Sequence, residues 1–152
     1  MNIDVEATRP LPQILDTYSR TYFEGWAAGR LLVQQCPECA HWQHYPRALC
    51  EQCGATPQFH EQEPVGTVYT YTVIRQMGVE PFRSEVPYPV VMVELDCGVK
   101  IMGTLTDCDV EDVHVGMPVE GYGVTFDDGI GIPYWRPRSP GSGSELNSNG
   151  EH

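Results

Sequence analysis

The sequence predicts a mainly β chain: N-terminal helices, a cysteine-bound metal module, then a small five-stranded barrel. Three observations carry that prediction. Two Cys-x-x-Cys pairs, Cys36/Cys39 and Cys50/Cys53, lie ten residues apart, and five short runs rich in β-branched and aromatic residues begin near residue 64. The 15 glycines and 13 prolines among 152 residues favour turns over long helices.

Residues 1–30 form the helical part. Thr21 followed three residues later by Glu24 reads as a capping box, and Gly29 stands where a C-terminal cap belongs. The preceding "PQILDTYSR" reads as another short helix. The "TYFEGWAAGR" helix carries Tyr22, Phe23 and Trp26 within about two turns, a large aromatic load for so short an element. It is expected either to pack on its own module or to face a partner.

The cysteine module spans 31–62 and the strands occupy 63–137. "GTVYTYTVI" (66–74), "YPVVMVEL" (88–95) and "VKIMGTL" (99–105) read as three strands of one sheet, with Val99, Ile101 and Leu105 on one face. "DCG" at 96–98 joins the second and third as a tight hairpin, Gly98 being free to take positive φ. "MPVEGYGVTF" (117–126) and "IPYWRP" (132–137) supply the fourth and fifth. Gly103, Gly121 and Gly123 fall inside strands, where bends or bulges would close the sheet. Five strands with a polar crossover, "TDCDVEDVHVG", between the third and fourth describe an OB barrel. The loop "RQMGVEPFRSEVP" presents Phe82 among other apolar residues, and either folds over its own barrel or enters a partner. The tail, 138–152, has no apolar anchor and is expected to lack order.

Charge narrows the functional classes. The net charge is −12, with one lysine, Lys100, and arginines scattered singly. Nucleic acids and anionic membranes are bound by clustered cations, so both are disfavoured. No apolar run approaches bilayer-spanning length and no export signal is visible, which places the protein in the cytoplasm and makes its cysteines metal ligands rather than disulfides.

A Cys-x-x-Cys turn presents two thiolates at metal-binding separation, and two such turns complete a tetrahedral shell. Cys36, Cys39, Cys50 and Cys53 are therefore the candidate metal ligands, with Zn2+ as a structural ion and rubredoxin-type iron as its main rival. Ala40 stands where the second knuckle has Gly54, a departure that removes no ligand. His41 and His44 lie between the pairs and are weaker ligand candidates. Cys97 and Cys108 are lone thiols without a spaced histidine, and no nucleophile elbow, metalloprotease helix, Walker loop or dinucleotide fingerprint is present. No catalytic residue is assigned.

Taken in order, "YFEGWAAGRLLVQQCPECAHWQHYPRALCEQCG", "GTVYTYTVI", "VPYPVVMVELDCGVKIMGTL", "VGMPV" and "IPYWRP" resemble the acyl-CoA-associated zinc-ribbon/OB-fold family known as domain of unknown function thirty-five. The resemblance covers residues 18–137. It implies a rubredoxin-like zinc ribbon joined to an OB barrel, with zinc on Cys36, Cys39, Cys50 and Cys53. It also implies a non-catalytic accessory subunit of a thiolase-fold enzyme, either a thiolase or a lipid-transfer-protein-like aldolase. The complex expected is a hetero-oligomer built on a partner dimer, handling a fatty, aromatic or steroid acyl-CoA held mainly by the partner. Tyr22, Phe23, Trp26 and Phe82 are the candidate interface residues. A nucleic-acid-binding OB/zinc-ribbon protein and a rubredoxin-like electron carrier are the alternatives.

Overall fold

The computed structural model describes residues 9–126 and 129–139. Beyond residue 139 the expected unstructured tail lies outside the described residues.

Helix α1 spans Thr17–Ala27. It begins four residues before the expected capping box, because Asp16 is the N-cap: its carboxylate accepts from the Ser19 amide at 2.7 Å and the Ser19 hydroxyl at 3.0 Å. Thr21 lies inside the helix and donates to the Thr17 carbonyl. The two helices expected here are one. Its end follows expectation: Gly29 has φ +73°, its amide donates to Trp26 O, and the Arg30 amide donates back to Gly25 O, a Schellman closure.

The ribbon is a three-stranded antiparallel sheet in the order β2–β1–β3, with β1 Leu31–Gln35, β2 Trp42–Gln43 and β3 Gln58–Gln62. The second unit is a closed barrel of β4 Val65–Ile74, β5 Tyr88–Leu95, β6 Lys100–Leu105, β7 Pro118–Thr125 and β8 Gly131–Pro137. Its strand order, β4–β5–β6–β8–β7, places β8 between β6, which it meets in parallel, and β7, which it meets antiparallel; β7 then returns to β4. This is the OB arrangement. The β5–β6 turn carries Gly98 at φ +89°. A four-residue helix, α2, Phe82–Glu85, interrupts the β4–β5 loop.

Alternation along the strands fills the barrel. Val68, Val91, Val93, Ile101, Leu105, Val119 and Trp135 are each at most 1% exposed. Trp26 of α1 joins them at 2%, meeting Trp135 edge to face at 6.2 Å. The strand glycines serve this contact. A Cβ on Gly123 would fall on the Trp26 carbonyl and one on Gly131 on the Ala27 amide, so β7 and β8 admit the helix backbone only because these side chains are missing. At Gly103 the absent side chain makes room for the Trp135 ring. The expected bulge sites are thus sites of close approach, and the irregular register lies between Val68 and Thr70 of β4.

Candidate functional site

The four-cysteine site is built by two turns that share one hydrogen-bond pattern. In the first, the Ala40 amide donates to Cys36 O at 2.9 Å and the Cys36 amide to His41 O; in the second, Gly54 donates to Cys50 O at 2.9 Å and Cys50 to Ala55 O. Both close through a left-handed residue, Ala40 at φ 60° and Gly54 at φ 78°. Alanine therefore takes the conformation that glycine takes across the pseudo-symmetric site, at a cost of about 1 kcal/mol.

The turns bring all four Sγ atoms within 4.8 Å of one another, with Cys36–Cys53 at 3.4 Å and Cys39–Cys50 at 3.6 Å. A tetrahedral zinc thiolate with bonds of about 2.3 Å has sulfur–sulfur edges of about 3.8 Å, so the donor set fits. The His41 amide lowers the Cys39 thiol, but burial and the three neighbouring sulfurs outweigh it and push it up to about 12. At Cys50 the Cys53 amide leads in lowering the thiol, to about 6. Four thiolates this close ionise together only around a cation, which zinc would supply as a charge and a cross-link. Such a shell leaves no open position for substrate.

Two buried amides that sequence patterns do not single out hold the turns in register. Gln34 Oε1 accepts from the Arg47 amide at 2.8 Å and from Gln43 Nε2 at 2.9 Å, and Gln43 Oε1 accepts from the Glu51 amide at 3.0 Å. Together they tie β1 and β2 to the loop leading to Cys50. The two histidines go elsewhere: His41 Nε2 faces Glu51 Oε1 at 2.9 Å, while His44 packs on Tyr22 and Tyr45, at ring distances of 5.0 and 4.1 Å. Burial lowers the His44 pKa to about 4, so its ring is neutral near pH 7. Cys97 and Cys108 pack against the core, and burial, followed by Asp112 and Asp109, raises the Cys108 thiol, which makes it a poor nucleophile.

The expected interface residues divide. Tyr22 and Trp26 are 1% and 2% exposed, so they are core residues joining ribbon, helix and barrel and are not available as a partner surface on this chain. Phe23 and Phe82 are half-buried and line a common cleft on the barrel. Phe82 is held there by an arginine the sequence did not suggest. Arg9 is ion-paired to Glu85 at 2.6 Å, and its guanidinium lies over the Phe82 and Phe126 rings at 5.5 and 5.4 Å. The β4–β5 loop therefore folds over its own barrel at Phe82, while Met77 and Val79 stay exposed.

Cations are scarce and committed. Lys100 and seven of the eight arginines each lie within 4.0 Å of a glutamate. No helix among the described residues is long and apolar enough to cross a membrane.

Comparison with known proteins gives the same two units. The family model described as "ChsH2, rubredoxin-like zinc ribbon domain" matches residues 23–59, and "ChsH2, C-terminal OB-fold domain" matches residues 60–124. A "DUF35 domain-containing scaffold protein" of Methanocaldococcus jannaschii is 34% identical over 92 residues, covering 59% of this chain and 64% of that protein. A "Probable enoyl-CoA hydratase alpha subunit" of Thermomonospora curvata is 31% identical over 136 residues, 89% of this chain but 42% of that protein. This chain thus spans less than two thirds of the length of either relative. Among solved structures, a chain of the "Ltp2-ChsH2(DUF35) aldolase" matches with a TM-score of 0.74 at 28% identity, covering 83% of this chain and 98% of that one.

Proposed function

This chain belongs to the DUF35 family of ChsH2-type zinc-ribbon and OB-fold proteins, and from that membership we propose that it is an accessory, scaffold-type subunit of a thiolase-like enzyme. The observation that carries the proposal is the match to nearly the whole of one chain of the Ltp2–ChsH2 aldolase. The site chemistry supports it: a four-sulfur shell holds a metal without offering it to substrate, so the ribbon's zinc, on Cys36, Cys39, Cys50 and Cys53, is structural.

The finer reading is C–C bond cleavage or formation on a fatty, aromatic or steroid acyl-CoA in the cytoplasm, with one of these chains on each side of a partner dimer. Coenzyme A carries several phosphate charges, and a surface whose cations are already paired with glutamates is poorly equipped to hold them. The partner supplies the CoA site, the nucleophile and the base. A hydratase partner is the second reading, favoured by the relative named as an enoyl-CoA hydratase subunit.

Co-expression with a thiolase-like protein and with a hydratase-like protein from the same genome tests both readings. A stable complex with the thiolase-like protein, more active than that protein alone, is expected. A thiolase-like protein that is soluble, fully active and unbound by this chain overturns the proposal, and a complex with the hydratase alone replaces it with the second reading.

A further inference from the structure

On the outer face of β5, β6 and β8, opposite the barrel core, the residues paired across the strands are Val90, Thr104 and Tyr134. With Met102 they floor a cleft of about 360 Å³ that Phe23, Phe82 and residues 9–12 also line. That volume is at the lower end for small-molecule sites, enough for a fused ring pair and far too little for a coenzyme. We propose that this cleft binds a compact, uncharged, ring-bearing molecule with a hydrogen-bond acceptor such as a ketone carbonyl.

The lining selects that class. Aromatic and aliphatic side chains dominate it, so burying an apolar ring is favourable and burying an ion is not. Among the described lining residues the one charge, Arg9, is committed to Glu85 at 2.6 Å. An anionic ligand would meet the Glu85 carboxylate beside the guanidinium, and a cation would meet the guanidinium. Hydroxyls provide the polar contacts. Tyr134 accepts from Arg9 at 3.5 Å, which leaves its own O–H to donate, and Thr104 brings a second hydroxyl to the same floor. Residues 9–12 are fastened beside the lining, because Arg9 links them to α2 through Glu85 and to Phe82 by its ring contact.

The inference concerns this chain alone and needs no partner, so its failure leaves the accessory-subunit reading intact, and the reverse holds. The test uses the full zinc-loaded chain and 2-acetylnaphthalene, followed through the methyl resonances of Val90 and Met102, with 2-naphthoate as the charged counterpart. Saturable one-to-one shifts are expected with the ketone, and about tenfold weaker binding with the carboxylate. Met102, half-exposed, tolerates a larger side chain, so Met102→Trp should fill the cleft and weaken the ketone about tenfold, while Val115→Trp, outside the lining, leaves it unchanged. Thr104→Val, close to isosteric, should weaken the ketone more than unsubstituted naphthalene. Absence of shifts at the probe's solubility limit, shifts indifferent to both cleft variants, or equal binding of ketone and carboxylate overturns the proposal.

Discussion

The ribbon and the barrel are both small antiparallel β units, yet they are held together by different means. Among residues 31–62 the buried side chains are Leu31, Val33, Gln34, Cys36, Gln43 and Cys50, so two sulfurs and two amides make up most of the interior. The barrel instead closes over seven aliphatic and aromatic residues at 1% exposure or less. The ribbon lacks the apolar area to offset its chain entropy and depends on a cross-link; the barrel does not. Helix α1 belongs to both, since Tyr22 packs on ribbon His44 while Trp26 packs on barrel Trp135.

The strongest way to break this contrast is to remove the metal. Structural zinc contributes on the order of 10 kcal/mol to small modules of this kind. Cys36→Ser, or a strong chelator, is expected to abolish zinc binding and deprotect the amides of β1–β3 in hydrogen exchange while those of β5 and β6 stay protected. Loss of protection throughout would show that the two units fold as one.

Next in size is the helix–barrel joint. Gly131→Ala places a methyl group on the Ala27 backbone, where neither strand nor helix yields easily, and should lower the unfolding free energy by about 3 kcal/mol in chemical denaturation. A neutral result would mean that α1 can lift from β8 without loss.

His44 sharpens the comparison through pH. Its pKa falls from 6.5 to about 4 by burial, so the folded state disfavours the imidazolium. The stability held above pH 6.5 is lost as pH falls from 6.5 towards 4, where the unfolded chain binds the proton first, by about 3 kcal/mol. Thermal unfolding across that window should be flatter in His44→Phe than in the parent chain; identical slopes would exclude His44 as the source.

The smallest expected effect compares the two knuckles. Ala40→Gly should stabilise the ribbon by up to about 1 kcal/mol and Gly54→Ala should destabilise it by a similar amount, since both positions are left-handed. Zinc-competition titrations would read the pair as shifts of opposite sign.

What the sequence revealed follows the range of its signals. The strands were legible because alternation and β-branching are local, as in Val99, Ile101 and Leu105, all of which point inward. The four cysteines were legible because each pair spans one turn. The fate of Tyr22 and Trp26 was not: their spacing shows that they lie close on one helix but not what covers them, and the covers are His44 for Tyr22 and, far along the chain, Trp135 for Trp26. Arg9 escaped notice for the same reason, its partner Glu85 being 76 positions away. The strand glycines were found but misread, because a missing Cβ signals a bend and a close neighbour alike until the neighbour is known.

The position of β8 bears on how the protein is made. It is the last strand among the described residues but lies in the middle of the barrel's order, flanked by β6 and β7. A nascent chain that has emerged only as far as β7 therefore exposes two open strand edges and leaves the Trp26 side chain without Trp135, however well its ribbon has formed. Synthesis from the N-terminus thus completes the metal module before the barrel, and the edges of β6 and β7 stay unpaired until residues 131–137 have emerged.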